Sequence, residues 1–168
     1  MVLAGLWVMA TLIVSTVLLA QTLFGTSSVQ GAALLDASRT AVERGRTRLS
    51  VASIVSSDAG GGTNVTITAD NIGEVSIVNS AQMDMLVRYT QDDGSLLAER
   101  LTYGTCAPGT NQWCLQSMSP DTFNPGLWDP GERATLQLRL APQVKSGTTA
   151  TVVVVAPNGI SAVGNFTN

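Results

Sequence analysis

Residues 1–35, MVLAGLWVMATLIVSTVLLAQTLFGTSSVQGAALL, contain no charged side chain, and the first charge in the chain is Asp36. The part from Val2 to Ala20 is almost wholly apolar, and about 20 such residues in an α-helix span the roughly 30 Å of hydrocarbon in a bilayer. Proline is absent until Pro108. The stretch therefore predicts a long N-terminal hydrophobic α-helix.

No basic residue precedes this apolar run, whereas a secretory signal peptide has Lys or Arg before its apolar core and a small-residue cleavage site behind it. The run instead continues into a helical pattern over Asp36–Val51. In that pattern Arg39 lies three residues after Asp36 and four before Glu43, spacings that pair opposite charges on a helix. We expect a processed chain whose mature N-terminus is Met1.

A change in composition divides the chain. No glycine or proline cluster interrupts the helical pattern before Ser56, so the helix is expected from about Val2 to Ser56, with Gly60–Gly62 as a flexible hinge. Beyond it the chain is rich in Gly, Thr, Asn, Asp and Val. The sequence predicts a helical stem over residues 1–56 and a β-rich head over residues 57–168.

The head alternates apolar and polar residues over short segments, the pattern of half-buried strands. The expected inward residues are Val65, Ile67, Ala69, Met83, Met85, Val87, Tyr89, Leu136, Leu138 and Leu140. The continuous run Val152–Val155 predicts a central strand covered on both faces. Turn residues at Asn71-x-Gly73, Asp92-Asp93-Gly94, Asp129-Pro130-Gly131 and Asn158-Gly159 separate these segments. Seven or eight such strands predict an immunoglobulin-like β-sandwich or a small barrel, and the whole chain an α+β fold.

Charge and composition exclude several functions. The head carries ten acidic and five basic residues, a net charge of −5, and this argues against nucleic acid as a partner because phosphate binding needs basic surface. The chain has no histidine, so a Ser or Cys nucleophile would lack its usual base. The glycines at Gly60–Gly62 lack the lysine of a phosphate-binding loop. We predict no catalytic residue, no cofactor and no enzymatic activity.

The aspartates and cysteines of the head raise two further questions. Asp92-Asp93 with Asp121 or Asp129 would offer carboxylate oxygens to calcium, but turn aspartates are common without metal, and no metal site is predicted. Cys106 and Cys114 lie in a segment rich in turn residues. Such a close pair in an exported head favours one small disulfide over two buried thiols, and zinc lacks further ligands.

Two segments match the acceptor pattern for N-glycosylation, Asn64-Val65-Thr66 and Asn165-Phe166-Thr167. In an exported head Asn64 and Asn165 are candidate glycosylation sites. The alternative is two ordinary asparagines at strand ends, since the pattern also arises by chance in threonine-rich β sequence.

Small and hydroxyl-bearing residues gather on one side of the predicted stem helix, within about a 60° arc. They are Ala4, Thr11, Ser15, Thr22, Thr26 and Ala33. Small residues let helices approach closely in apolar surroundings. This side is therefore a candidate polymerisation seam, the alternative being chance scatter along a membrane anchor.

An uncharged N-terminus at Met1–Ala10, a long hydrophobic helix passing into an amphipathic half, and a β-sandwich head resemble the type IV pilin superfamily. Within it the chain is most similar to the archaellins, the filament subunits of the archaeal-type flagellum. In the head the resemblance is carried by Val65-x-Ile67, Asn71-x-Gly73 and Leu127…Pro130-Gly131-Glu132. Bacterial type IV pilins generally have glutamate at the fifth mature position, whereas this chain has Gly5. Archaellins commonly lack that carboxylate, so Gly5 favours the resemblance to archaellins.

The resemblance implies a homopolymer whose stems form a filament core and whose heads cover the outside. It also implies cleavage of the precursor by a prepilin-type peptidase, storage in the cytoplasmic membrane, and extraction into an extracellular filament by the platform and ATPase of an assembly machinery. An adhesive pilus subunit is an alternative. A membrane-anchored accessory or binding module of the same machinery is another, although an uncharged helix reaching Leu35 is longer than an anchor requires.

Overall fold

The computed structural model of the protein describes residues 12–16 and 33–168. Residues 12–16 and 33–46 are helical, and Glu43–Asn168 forms one compact unit. Eight strands follow the helix: β1 Leu49–Ala59, β2 Gly62–Asn71, β3 Asp84–Thr90, β4 Leu96–Tyr103, β5 Gln112–Ser119, β6 Arg133–Leu140, β7 Thr149–Val155 and β8 Ser161–Thr167. A short 3₁₀ turn, Ser80–Gln82, precedes β3.

The strands form two layers in the order β1-β2-β6-β5 and β4-β3-β7-β8. Neighbours within each layer are antiparallel, and a short parallel pairing of β4 with β5 at Thr102–Gln112 and Tyr103–Trp113 joins the layers. This connectivity matches that of immunoglobulin-like sandwiches, in which strands A, B, E and D face strands C, F and G. The described chain thus combines helix with an eight-stranded β-sandwich.

The alternating pattern predicted most of the core correctly. Every predicted inward residue of β2, β3 and β6 is buried, as is Met83 just before β3. The core also contains Trp113 and Trp128, whose exposed fractions are 0% and 1%. The prediction that Val152–Val155 is covered on both faces was wrong: Val152 and Val154 are buried, whereas Val153 and Val155 lie half-buried on the outward face.

The helix ends at residue 46, and the prediction of helix as far as Ser56 was wrong because Leu49–Ala59 is β1. The N–H of Thr47 makes an i→i−4 bond of the last helical turn, to the Glu43 carbonyl at 3.0 Å, and its buried hydroxyl donates to the same oxygen at 2.8 Å. The β-branched residues of β1 favour an extended strand. The part of the expected helix before residue 33 lies outside the described residues, apart from 12–16.

The glycines predicted to be a hinge form a tight hairpin turn instead. β1 pairs with β2 up to Ala59 and Gly62, and the two residues between them, Gly60 and Gly61, have φ values of 57° and 73°. Positive φ at both central positions is the requirement of a type I′ two-residue hairpin turn, which glycine meets without strain. The segment therefore joins two paired strands of the head.

The edges of the two layers meet where β1 crosses β8. A Cβ added to Gly164 of β8 would lie 2.6 Å from Ile54 Cδ1 and 2.8 Å from Val51 Cγ1, so a larger residue would displace these side chains. Near the end of β1, Asp58 accepts hydrogen bonds from Thr63 Oγ1 at 2.8 Å and Asn168 Nδ2 at 3.0 Å. These bonds, that from Thr63 foremost, lower the pKa of the Asp58 carboxyl.

Burial in the core strongly shifts the pKa of Tyr89. Its side chain is 1% exposed, and its hydroxyl is buried without a hydrogen-bond partner among the described residues. Burial, and after it the charge of Glu99, raises the pKa of Tyr89 to about 12.

We expect Tyr89 to make the protein less stable as the pH rises from about 10 to about 12. The unfolded tyrosine ionises near pH 10, whereas the native one keeps its proton to about 12. The native state therefore binds more protons in this window, and its unfolding free energy falls by about 2 kcal/mol. Denaturant titrations of the wild type and Tyr89→Phe measure the effect. The same pH dependence in both proteins would contradict a buried, protonated Tyr89.

Candidate assembly surface

Helix 33–46 carries an exposed apolar stripe. Leu34, Leu35 and Val42 are 72%, 65% and 55% exposed. Leu34 and the exposed Ala41 lie seven residues apart, as do Leu35 and Val42, so two helical turns separate the members of each pair. Exposed leucines at this spacing are typical of a helix that packs against another molecule. Among the described residues, no helix is both long and apolar enough to cross a membrane.

Two residues of the predicted polymerisation seam are described, Ser15 and Ala33, and both are exposed on helix. The Ser15 hydroxyl donates to the carbonyl of Leu12 within its own helix, at 2.9 Å. Because this hydroxyl already bonds within its own helix, Ser15 would favour close packing of a second helix through its small size. The other members, Ala4, Thr11, Thr22 and Thr26, lie outside the described residues, as does the expected mature N-terminus, Met1.

Backbone hydrogen bonds fix the segment after the helix to the head. The N–H groups of Glu74 and Ile72 donate to the carbonyls of Arg46 and Arg48, at 2.8 and 3.0 Å. Between them, a Cβ on Gly73 would lie 2.6 Å from both Arg46 O and Arg48 N. Only glycine fits this close approach of two backbones.

Side chains strengthen this junction within the compact unit. Arg46 pairs with Glu74 at 3.1 Å, and Arg44 Nε donates to the carbonyl of Asn158 at 2.8 Å. Beside them is a groove of about 270 Å³. It is lined by Glu43, Thr47, Val75, Ser76, Ile77, Val78, Ala156, Pro157 and Asn158.

A buried polar network supports the junction from inside the head. The amide nitrogen of Asn71, a fully buried residue, donates to the carbonyls of Val75 and Trp128, both at 2.9 Å. Its amide oxygen accepts the N–H of Gly73 at 3.1 Å. All three bonds join the side chain to backbone groups, so Asn71 fixes the loop on which Gly73 lies.

The second half of the network is the turn that begins at Asp129. The carboxylate of Asp129 accepts hydrogen bonds from Ser76 Oγ and Asn124 Nδ2. Glu132 accepts the backbone N–H of Asp129 at 3.0 Å, and its carbonyl accepts the indole N–H of Trp128 at 2.9 Å. The sequence pattern predicted a turn here, but not that Asp129 and Glu132 are buried.

The aspartates considered for calcium do not come together. Asp129 belongs to the buried network, and Asp93 accepts hydrogen bonds from the backbone and hydroxyl of Ser95 in its own turn. Within residues 12–16 and 33–168, no group of three or more Asp, Glu, Cys or His side chains is arranged to hold a metal ion.

The outward faces of the two layers differ in character. Along β2 and β6 the outward side chains are all polar, being Asn64, Thr66, Thr68, Asp70, Arg133, Thr135, Gln137 and Arg139. Arg133 binds Asp70 through two nitrogens, at 2.6 and 2.9 Å, and thereby lowers the pKa of the Asp70 carboxyl. The outward face of β3, β7 and β8 instead carries Leu86, Val153 and Val163 in cross-strand register.

Three predicted features of the head can be located. Cys106 and Cys114 form a disulfide with a Cα–Cα distance of 5.3 Å, which confirms that pairing. Asn64 lies half-buried on β2, while Asn165 is exposed on β8 and accepts a hydrogen bond from Thr151 Oγ1 at 2.8 Å. Glycosylation of either asparagine stays a prediction.

The sequence profile of the archaeal-type flagellin family matches residues 6–166. The chain therefore belongs to that family. Comparison with curated protein sequences found no significant match.

Two solved structures illustrate the fold. One is the archaeal flagellum of Methanospirillum hungatei strain JF1, with a TM-score of 0.60 at 14% identity, covering 98% of this chain and 92% of that one. The other comes from the archaellum periplasmic stator protein complex FlaF and FlaG of Sulfolobus acidocaldarius, with a TM-score of 0.52 at 18% identity, covering 71% of this chain and 89% of that one.

Proposed function

We propose that this chain is the structural subunit of an archaellum-like extracellular filament used for swimming motility. The observation that supports this most is the match of the archaeal-type flagellin family over residues 6–166, which includes both stem and head. The exposed apolar stripe of helix 33–46 adds to it, because a single copy leaves that surface in water. The proposed organisation is a core of bundled stems beneath an outer layer of heads.

The proposal also includes the processing and membrane storage of the subunit before assembly. The precursor would be cleaved by a prepilin-type peptidase to leave Met1 as the mature N-terminus, and the subunit would wait in the cytoplasmic membrane. The platform and ATPase of the machinery would then extract it into the filament. The uncharged residues 1–35 support membrane storage, since they include an apolar stretch of bilayer-spanning length.

A membrane-anchored accessory module is the second candidate. The fold shared with a chain of the FlaF and FlaG stator complex extends over 71% of this chain, so the head alone suits either role. The long uncharged stem favours the filament. A static adhesive pilus would assemble through the same packing of stems and heads but would not rotate.

Replacing Ser15 with leucine is expected to separate filament from anchor. Leucine is favourable in lipid, so insertion into the membrane should be unharmed. In a tight seam between stems, the added bulk should cost about 1–3 kcal/mol at each contact, and filaments should become few, short or fragile. Electron microscopy of sheared filaments and the amount of membrane-bound subunit measure the two effects.

Two controls make this test specific. Ser15→Ala removes a hydroxyl that bonds its own helix and should assemble normally, as should Leu12→Ile. Normal filaments from Ser15→Leu cells would rule out the seam. A wild-type chain that never appears in filaments, while the surface function persists, would favour the accessory module.

A further inference from the structure

One outward face of the sandwich carries an apolar row where polar residues are expected. Leu86 of β3 pairs with Val153 of β7, which pairs with Val163 of β8. The three side chains therefore stand side by side across adjacent strands, over about 10 Å at the usual strand spacing. Leu86 is 41% exposed and Val163 59% exposed.

The row is not a general property of the head surface. In the outer layer formed by β2 and β6, the corresponding positions are all polar, as described above. A sandwich normally alternates inward apolar with outward polar residues. The layer that contains β2 and β6 has a single exposed valine, Val55 of β1, which pairs with the polar Thr66. Three apolar residues in cross-strand register on one face indicate that this face contacts another molecule.

The loop before β6 presents a complementary feature on a different part of the head. Phe123 is 77% exposed, the largest value among the exposed apolar side chains of the described residues. Its loop is held in place: the Gly126 N–H donates to Asp121 Oδ1 at 3.2 Å, and Asn124 Nδ2 donates to Asp129 Oδ2 at 3.1 Å. Phe123 is thus an aromatic side chain displayed on an ordered loop.

Charges flank both features with opposite sign. Arg88 is exposed on β3, two residues after Leu86 on the same outward face, whereas Asp84, two residues before Leu86, is paired with Arg100 of β4. The row therefore has a positive charge balance, and Asp121 is exposed two residues before Phe123. If the row covers the ring of Phe123, the same contact brings the Arg88 guanidinium toward the Asp121 carboxylate. Aromatic and arginine side chains are the usual energetic centres of protein interfaces.

We propose that the Leu86–Val153–Val163 row binds Phe123 of a second copy of this chain, so that neighbouring heads contact one another directly. This rests on the proposed filament. The two surfaces are different parts of one head, so their contact is heterologous, and a heterologous contact that does not close into a ring generates an open chain of subunits. The head thereby adds its own directional contact to the packing of the stems.

Cysteine cross-linking in filaments tests the contact. Both native cysteines are in the disulfide, so introduced cysteines are the only free thiols. Filaments of the double variant Phe123→Cys, Val163→Cys, treated with a short bismaleimide, should give a ladder of dimers, trimers and longer species on denaturing gels. Each single variant should remain monomeric. Filaments mixed from the two single variants should stop at dimers, because each copy then has one thiol.

The control pair is Phe123→Cys with Val55→Cys, since Val55 is 65% exposed on β1 and outside the row. A ladder from the control pair as strong as from the test pair would overturn the proposal. So would dimers from Val163→Cys alone, which would indicate a symmetric face-to-face contact, or intact double-variant filaments without cross-links. If the double variant fails to assemble, the mixed filaments decide by the presence or absence of dimers. Absence of filaments from the wild-type chain would instead contradict the proposed function itself.

Discussion

Replacing Asn71 with alanine is expected to destabilise the head by about 3–5 kcal/mol. The substitution leaves the Val75 carbonyl and the Gly73 N–H without their partner, and the Trp128 carbonyl keeps only its bond from the Ile77 N–H. Each buried polar group left unpaired costs about 1–3 kcal/mol, and Asn71 is completely buried, so water does not replace the amide readily. Denaturant unfolding followed by the fluorescence of buried Trp113 and Trp128 measures the loss.

Asn71→Asp tests the same side-chain hydrogen bonds with almost no change in the shape of residue 71. The carboxylate keeps an acceptor for Gly73 but turns an oxygen toward two carbonyl oxygens, so it should destabilise at least as much at neutral pH. Asn64→Ala, a change to a half-buried asparagine on the outward face of β2, is the matched control and should alter stability by less than about 1 kcal/mol. Similar losses at both asparagines would show that the network contributes little.

The second large effect is expected from Gly73→Ala at the junction of helix and head. The new methyl group would stand 2.6 Å from two backbone atoms, Arg46 O and Arg48 N. Neither atom can move without displacing the whole segment, so the hydrogen bonds to Glu74 and Ile72 should break. Overpacking of this kind costs about 1–3 kcal/mol. Trypsin should then cut after Arg46 and Arg48 much faster than in the wild type.

Gly45→Ala provides the control for this experiment. Gly45 lies in helix 33–46, and a Cβ there meets nothing within 4 Å. Alanine is favoured over glycine in a helix by up to about 1 kcal/mol, so this variant should be cleaved no faster than the wild type. Equal cleavage of Gly73→Ala and Gly45→Ala would contradict the close contact at Gly73.

The sequence predicted the strands of the head well because their alternation is local. It failed at β1, where Val51, Ile54 and Val55 have the i, i+3, i+4 spacing of a helix face. The structure explains this spacing by an irregularity in the pairing with β2 between Val51 and Ser53. The extra residue places the inward Val51 and Ile54 three positions apart, whereas Val55 lies on the outward face, 65% exposed. A bulged strand therefore reproduces only part of a helical pattern.

The candidate assembly surface could be predicted only in part. The disulfide and the turn at Asp129 are visible in short stretches of sequence. The role of Asn71 is not, because its partner Trp128 is 57 residues away. The outward apolar row is hidden for a related reason: its three members come from three strands, and Val153 lies within a run of four valines that conceals which face is buried.

The position of β1 also has a mechanical consequence. β1 begins three residues after the helix ends and pairs with β2 through ten residue pairs, from Leu49–Asn71 to Ala59–Gly62. A pull on the chain directed along this strand loads all ten pairs in shear, because they must slide together before any separates. A pull across the strand would open them one after another. Tension that acts along β1 is therefore resisted by all ten pairs at once.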